Sequence, residues 1–414
     1  MTTDDGRHAH KHYQDQIDDL LRRSEDAIER DVRMNSILTQ HEVNQDALQR
    51  DVIAAHKRIT EHHPLNTPDP EPVYGQREGP RSLPPLDLTD FDGENLGGAT
   101  VVLARPMRRT SSLANGTLQS TILRPALRLY STEGLTLADL RILGFRPQYP
   151  HDGVVDCKDT TNLLYHNVTI DGSGQNGIEI TNTGNVVRGC DISADDKAIA
   201  GHGSNHLIED SRFRFTGTPA GADWGALKLG RIYDTWIRRV DFIDGCSWLD
   251  VGTDGVVYED CSFTGSPQRG SHAEEADRDG RGGPTTYHHC TWERNGLTGD
   301  TQQAHAVGQV APIIIEHGDF LIDLTKESGV RLWDNDSRHS ETMNCAGSRI
   351  TDTRFRVTAS AEINGKILSV DIPENLEAFE RNVIELHTNL SGTSAEVHAR
   401  AIQGAYPTTE LVWV

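Results

Sequence analysis

The sequence predicts a mostly β chain: a right-handed parallel β-helix, preceded by a long α-helical coiled coil and closed by a small C-terminal β cap. Three observations carry this expectation. A short motif, a small or apolar residue followed by a polar one and then a large apolar one, recurs nine times between Leu140 and Phe355. Residues 14–62 contain neither Gly nor Pro and hold an apolar stripe at heptad spacing. A proline-rich polar stretch, residues 63–86, separates these two regions and marks a boundary.

Taken in order, residues 1–13 are a polar tail with no apolar core of a secretion signal, so none is expected. With Ile17 at position a, the a and d places of 14–62 include Leu20, Ala27, Met34, Leu38, Leu48, Val52, Ala55 and Ile59, with Ser24, Asp31, His41 and Gln45 as polar interruptions. That is the seam of a self-associating coil, in which the polar places fix register and strand number. It would be about 70 Å long at about 1.5 Å per residue. From residue 87 to 358 the motif takes over, as Val168-Thr169-Ile170, Cys190-Asp191-Ile192, Ser211-Arg212-Phe213, Val240-Asp241-Phe242, Cys261-Ser262-Phe263 and Cys290-Thr291-Trp292, among others. Intervals of 21 to 35 residues, with strand-forming side chains, point to a solenoid with insertions. Cys190, Cys261 and Cys290 then stack as a buried row. Residues 359–414 alternate apolar and polar positions in "GKILSVDI", "NVIELHT", "AEVHARAI" and "LVWV", which predicts half-buried strands that either cover the open edge of the solenoid or form a small trimerising β domain.

Composition limits the partners. Against 62 acidic residues stand 40 basic ones, giving a net charge of −22, and only seven of the basic residues are Lys. An acidic, Arg-rich surface suits a protein that stays dissolved in molar salt, which suggests a halophilic source. It argues against nucleic acid, whose phosphates call for a basic patch. No apolar run reaches membrane-spanning length. The six cysteines show no CxxC pair, so no zinc site is expected.

The stretch "ADDKAIAGHGSNH" resembles pieces of a polygalacturonase site, with the carboxylate pair Asp195–Asp196 followed by Gly201-His202-Gly203. Paired carboxylates can act as general acid and base on a glycosidic bond. Here the pieces fall within one coil, so His202 cannot stack over Asp195, and turn chemistry at coil corners explains them better.

A more specific resemblance spans residues 235–320, roughly a fifth of the chain. "TWIRRVDF", "TTYHHCTW" and "QQAHAVGQ" resemble the central coils of pectate lyases in order and spacing. The resemblance implies a β-helix with a shallow groove for acidic polysaccharide. It also implies calcium-binding carboxylates and an arginine base, and most of these positions are changed. Arg238 replaces one carboxylate; of the next two, Cys246 replaces one and Asp250 keeps the other; Ala304 and Ala306 replace the arginines, and Glu293 replaces a lysine. The scaffold is expected to remain without the lyase chemistry.

Glycan-binding candidates are Asp223, Trp224, Arg269, Glu274, Glu275, Trp333 and Asp334, aromatic and polar residues in long insertions of the repeat. Trp236 and Trp292, at strand positions, are expected in the core. No cofactor is expected beyond a structural calcium or other cation, for which Asp250, Asp277 and Asp279 are candidates. Coil, spacer, shaft and cap together resemble a tail fibre or tailspike of a tailed virus, or a capsid-surface decoration. The resemblance implies a homo-oligomer, most readily a trimer, attached to other virion proteins by its N-terminal region and binding host surface glycan or glycoprotein. The alternative is a polysaccharide depolymerase, with Asp195, Asp196, Asp223 and Asp250 as its carboxylates.

Overall fold

The computed structural model describes residues 84–89, 91–119, 125–145, 153–173, 176–217, 225–250, 252–267, 269–273, 283–295, 304–309, 311–333, 345–358 and 365–414. The expected coiled coil and nearly all of the proline-rich spacer lie outside them. Among the described residues the chain is mostly β, in long stacks of parallel strands compatible with a β-helix. One sheet has 23 strands and a second has 12.

The motif read from the sequence is in register at each of its nine occurrences. Arg141 pairs with Thr169, Thr169 with Asp191, Asp191 with Arg212 and Arg212 with Asp241. The row continues through Ser262, Thr291, Asp319 and Arg354. The large residue of each motif points inward because alternation fixes parity: once the polar residue faces water, its neighbour must face the core. A continuous aromatic column results. Phe242 and Phe263 stack at 5.1 Å, Phe263 and Trp292 at 5.3 Å, Trp292 and Phe320 at 4.3 Å, and Phe320 and Phe355 at 5.1 Å. Offset stacks of this kind add about 0.5–1.5 kcal/mol each to the burial of the rings.

Short corners join the two halves of the 23-stranded sheet. Their pivot residues Asn167, Gly189, Asp210, Arg239, Asp260, His289, His317, Asp352 and Arg381 all have φ between 51° and 65°. From Asn167 to Asp352, each corner donates its backbone N–H to the carbonyl that precedes the next corner. The left-handed conformation costs about 1–2 kcal/mol for an ordinary residue, so this hydrogen-bonded column is what holds His and Arg there.

The cysteine expectation agrees with the structure. All six thiols are free and buried, and burial pushes those of Cys157 and Cys190 up to about 12, far from a reactive thiolate. Trp292 is in the core, but Trp236 is 39% exposed. In the strand Trp236–Arg238 it is Ile237 that takes the inward place, paired with Ile208 and Tyr258, which turns Trp236 out.

The C-terminal strands Leu368–Val370, Leu376–Glu380, Val383–Leu386 and Glu410–Trp413 continue the existing parallel stacks. "AEVHARAI" departs from its expected strand and lies in the helix α1, Ser394–Ala405. Its buried residues Ala395, Ala399 and Ile402 recur at spacings of four and three, a helical period that the alternation concealed. No helix among the described residues is long and apolar enough to cross a membrane.

Candidate functional site

The 12-stranded sheet carries the site. Its outward row runs from Glu179 through Ala200, Lys228 and Trp248 to His272, each residue opposite the next on consecutive strands. Ala200 is the small member of this row, and beside it lie Gly201 and Gly230. The surface therefore dips into a groove of about 720 Å³. Lys158, Lys197, Lys228, Arg231 and His202 line it, with the carboxylates of Asp159, Glu179 and Asp250 and the polar side chains of Asn176 and Thr181.

A β-bulge shapes the floor. Gly201 pairs with Leu229 and Gly203 with Ile232, so Gly230 and Arg231 together oppose the single residue His202. Bulges bend a strand and re-aim its side chains, and this one brings His202 and Arg231 to the same groove. The glycines flanking His202 have a packing cause. A Cβ on Gly203 would lie 1.7 Å from the carbonyl oxygen of Asn182, at φ 125°, and one on Gly201 would lie 2.0 Å from that of Ile180. The glycine-histidine-glycine run is thus required by the close approach of adjacent coils.

Local pairing sets the charge pattern. The ammonium of Lys228 lies 3.3 Å from a carboxylate oxygen of Asp250 and 5.4 Å above the ring centre of Trp248. Arg269 covers the same ring at 5.6 Å, and the His272 ring lies 4.5 Å from it. Trp248 is therefore enclosed by cations and an imidazole and is only 8% exposed, which removes it as a stacking platform for a sugar. Behind the groove, His206 is buried. It accepts a hydrogen bond at Nδ1 from the Asn185 backbone N–H and faces the His202 carbonyl with Nε2 at 3.3 Å. Loss of hydration pushes its pKa down to about 4, so it is neutral at ordinary pH.

Among the described residues, those expected from the sequence do not converge. Asp250 lies in the groove. Asp196 pairs with Lys197 at 2.6 Å, and Asp195 accepts a hydrogen bond from the Thr216 hydroxyl at 2.8 Å; neither Asp lines the groove. Arg269 stacks on Trp248 and hydrogen-bonds to Nδ1 of His272, likewise outside the lining. Trp333 ends the strand Ser328–Trp333, its backbone opposite Gln309. Asp223, Trp224, Glu274, Glu275, Asp277, Asp279 and Asp334 lie outside the described residues.

The positions aligned with the pectate lyase calcium ligands also separate. Arg238 is on the 23-stranded sheet, held at 2.5 Å by Glu209, while Cys246 is buried on the 12-stranded sheet that carries Asp250. Sequence reasoning missed Lys158, Lys197, Lys228 and Arg231. The signal that could have found them is lysine itself: three of the seven lysines of the chain line this one groove. In comparison with known proteins, the chain matches no family model, no curated protein and no solved structure.

Proposed function

We propose that this chain is a non-catalytic attachment protein of a virion, and that its groove takes an anionic saccharide of a host surface glycan or glycoprotein. The observation that carries this reading is the placing of three of seven lysines, with Arg231, in one groove of a chain whose net charge is −22. A net charge of −22 on the chain as a whole disfavours an acidic polymer unless cations are gathered where it binds. In molar salt the Debye length falls to about 3 Å, so only charges touching the ligand contribute. Lys158 and Arg231 are placed to meet that condition, while Lys228 and Lys197 are shared with Asp250 and Asp196. Each ammonium or guanidinium bonded to a uronate carboxylate or a sulfate would contribute about 1.5–3 kcal/mol.

The exposed His202 is placed to take up a hydroxyl, and Ala200 and Gly230 leave room for a sugar ring against the sheet. The right-handed winding follows the usual hand of parallel crossovers. The N-terminal heptads support self-association into a homo-oligomer, for which we favour a trimer, joined to the virion through the N-terminal region. Several copies on one particle turn a modest single-site affinity into firm attachment. A halophilic host fits the composition.

A depolymerase is the competing reading, with Asp250 as its best described carboxylate; the ammonium of Lys228 lies 3.3 Å from Asp250. The test is incubation of the full chain, in molar salt, with isolated acidic surface glycan, followed by mass spectrometry of bound and free fractions. Intact glycan retained on the protein supports attachment. Shortened chains in the supernatant would replace it with catalysis.

A further inference from the structure

We propose that His288, His289 and His317 form a binding site for one divalent transition-metal ion, of the zinc, nickel or copper type. The three imidazoles each offer one ligand nitrogen, and these atoms all lie within 4.8 Å of one another. Around an ion with bonds of about 2.1 Å to nitrogen, tetrahedral ligands sit about 3.4 Å apart. Closing the site therefore takes little more than about 1 Å of ring movement. His289 and His317 are exposed and His288 is half-buried, so the rings can shift and an ion can enter.

The backbone beneath them is already fixed. His289 and His317 occupy successive corners at φ 52° and 54°. Their N–H groups donate to the carbonyls of Glu316 and Thr351 at 3.0 and 3.2 Å. Their rings lie parallel with centres 4.7 Å apart, and the His288 ring stands across both, 4.2 and 5.5 Å away.

The surrounding charge suits a cation. Glu259 and Glu316 flank His288 in strand register. Along the corners, Asp260 precedes the two histidines and Asp352 follows them. Glu259, Glu316 and Asp260 favour a bound cation through their charge, while the Asp352 carboxylate is also bound by Arg381 at 2.6 Å. Three nitrogen donors select a borderline transition ion over calcium or magnesium, which take oxygen ligands. Because His289 and His317 belong to consecutive coils, the ion would tie one coil to the next. The site is on the 23-stranded sheet and the saccharide groove is on the 12-stranded sheet, so neither proposal depends on the other.

The test is calorimetric titration of the untagged full chain with Zn²⁺ alone. The sequence "HAHKH" places His8, His10 and His12 together near the N-terminus, and these can also take a metal. All proteins compared therefore carry His8→Ala, His10→Ala and His12→Ala. In that background one equivalent of Zn²⁺ is expected. His289→Asn with His317→Asn should weaken it at least about 100-fold. Asn is the chosen replacement because Asn167 holds the same corner at φ 53°. Zn²⁺ should raise Tm by about 3–5 °C in the parent and leave the corner variant unmoved. Co²⁺ should give the visible bands of imidazole coordination in the parent only. The absence of an equivalent in the parent overturns the proposal. So does an undiminished equivalent in a corner variant that circular dichroism shows to be folded.

Discussion

Phe263 lies at the centre of the aromatic column and gives the fold its sharpest test. Its side chain is fully buried. Phe242 stacks on one face at 5.1 Å with an interplanar angle of 3°, and Trp292 on the other at 5.3 Å and 17°. Tyr258 and Tyr287 meet its edge at 5.7 and 6.1 Å. Phe263→Ala removes a ring enclosed by four other rings whose backbones are fixed by parallel ladders, so the cavity cannot collapse; the expected loss is about 4–5 kcal/mol, the upper part of the usual range for such truncations. Phe263→Leu keeps most of the volume and loses the two stacks, for an expected cost of about 1–2 kcal/mol. Denaturant unfolding in molar salt, followed by near-ultraviolet circular dichroism, separates the two variants. A Phe263→Ala protein within about 1 kcal/mol of the parent would refute the packed column, because no buried ring is removed at so small a cost. An equal loss in both variants would refute the stacking contribution.

Other expectations follow from the same geometry. The Glu209 carboxylate is 2% exposed and is bonded by Arg188, Arg238 and Arg239. Because the arginines are themselves a third or more exposed and can rehydrate, Glu209→Gln should cost only about 1–2 kcal/mol in thermal or denaturant unfolding, below the cost of a fully buried pair. Gly203→Ala drives a Cβ to 1.7 Å from the Asn182 oxygen, and should lower stability by at least about 2 kcal/mol in the same assay. His206 has a folded pKa pushed down to about 4. The unfolded chain, with His near about 6.5, then binds more protons between those values, and stability must fall as pH drops through that window. The loss should reach about 2–3 kcal/mol by pH 4, and His206→Asn should flatten that part of the stability profile.

The repeating part of the fold was legible because it is written locally. Each motif states its own parity, and Arg212, Asp241 and Ser262 pair as the spacing requires. Trp236 was misplaced for the converse reason. A single large apolar residue does not reveal which face of a strand it takes, and its neighbour Ile237 had the stronger claim on the core. The helix Ser394–Ala405 was hidden because its small buried alanines satisfy both a two-residue and a helical period. The groove was not legible as a motif at all. Lys158, Lys197, Lys228 and Asp250 come from different coils, and strand stacking brings them together. Local patterns such as Asp195–Asp196 and Gly201-His202-Gly203 drew the eye, yet they record coil turning and close packing. The rarity of lysine was visible in the sequence, and its meaning appeared only when three lysines fell in one place.

The central claim, that a cationic groove in an acidic chain takes an anionic saccharide, is tested most directly by one equilibrium measurement. The full chain is titrated in molar salt with an acidic uronate oligosaccharide and with a neutral one of equal length, alongside Lys158→Gln and Lys228→Gln. The account predicts binding of the acidic oligosaccharide alone, weakened about 10-fold by each substitution. Equal affinity for both sugars, or affinity for the acidic one unchanged in both variants, would contradict it.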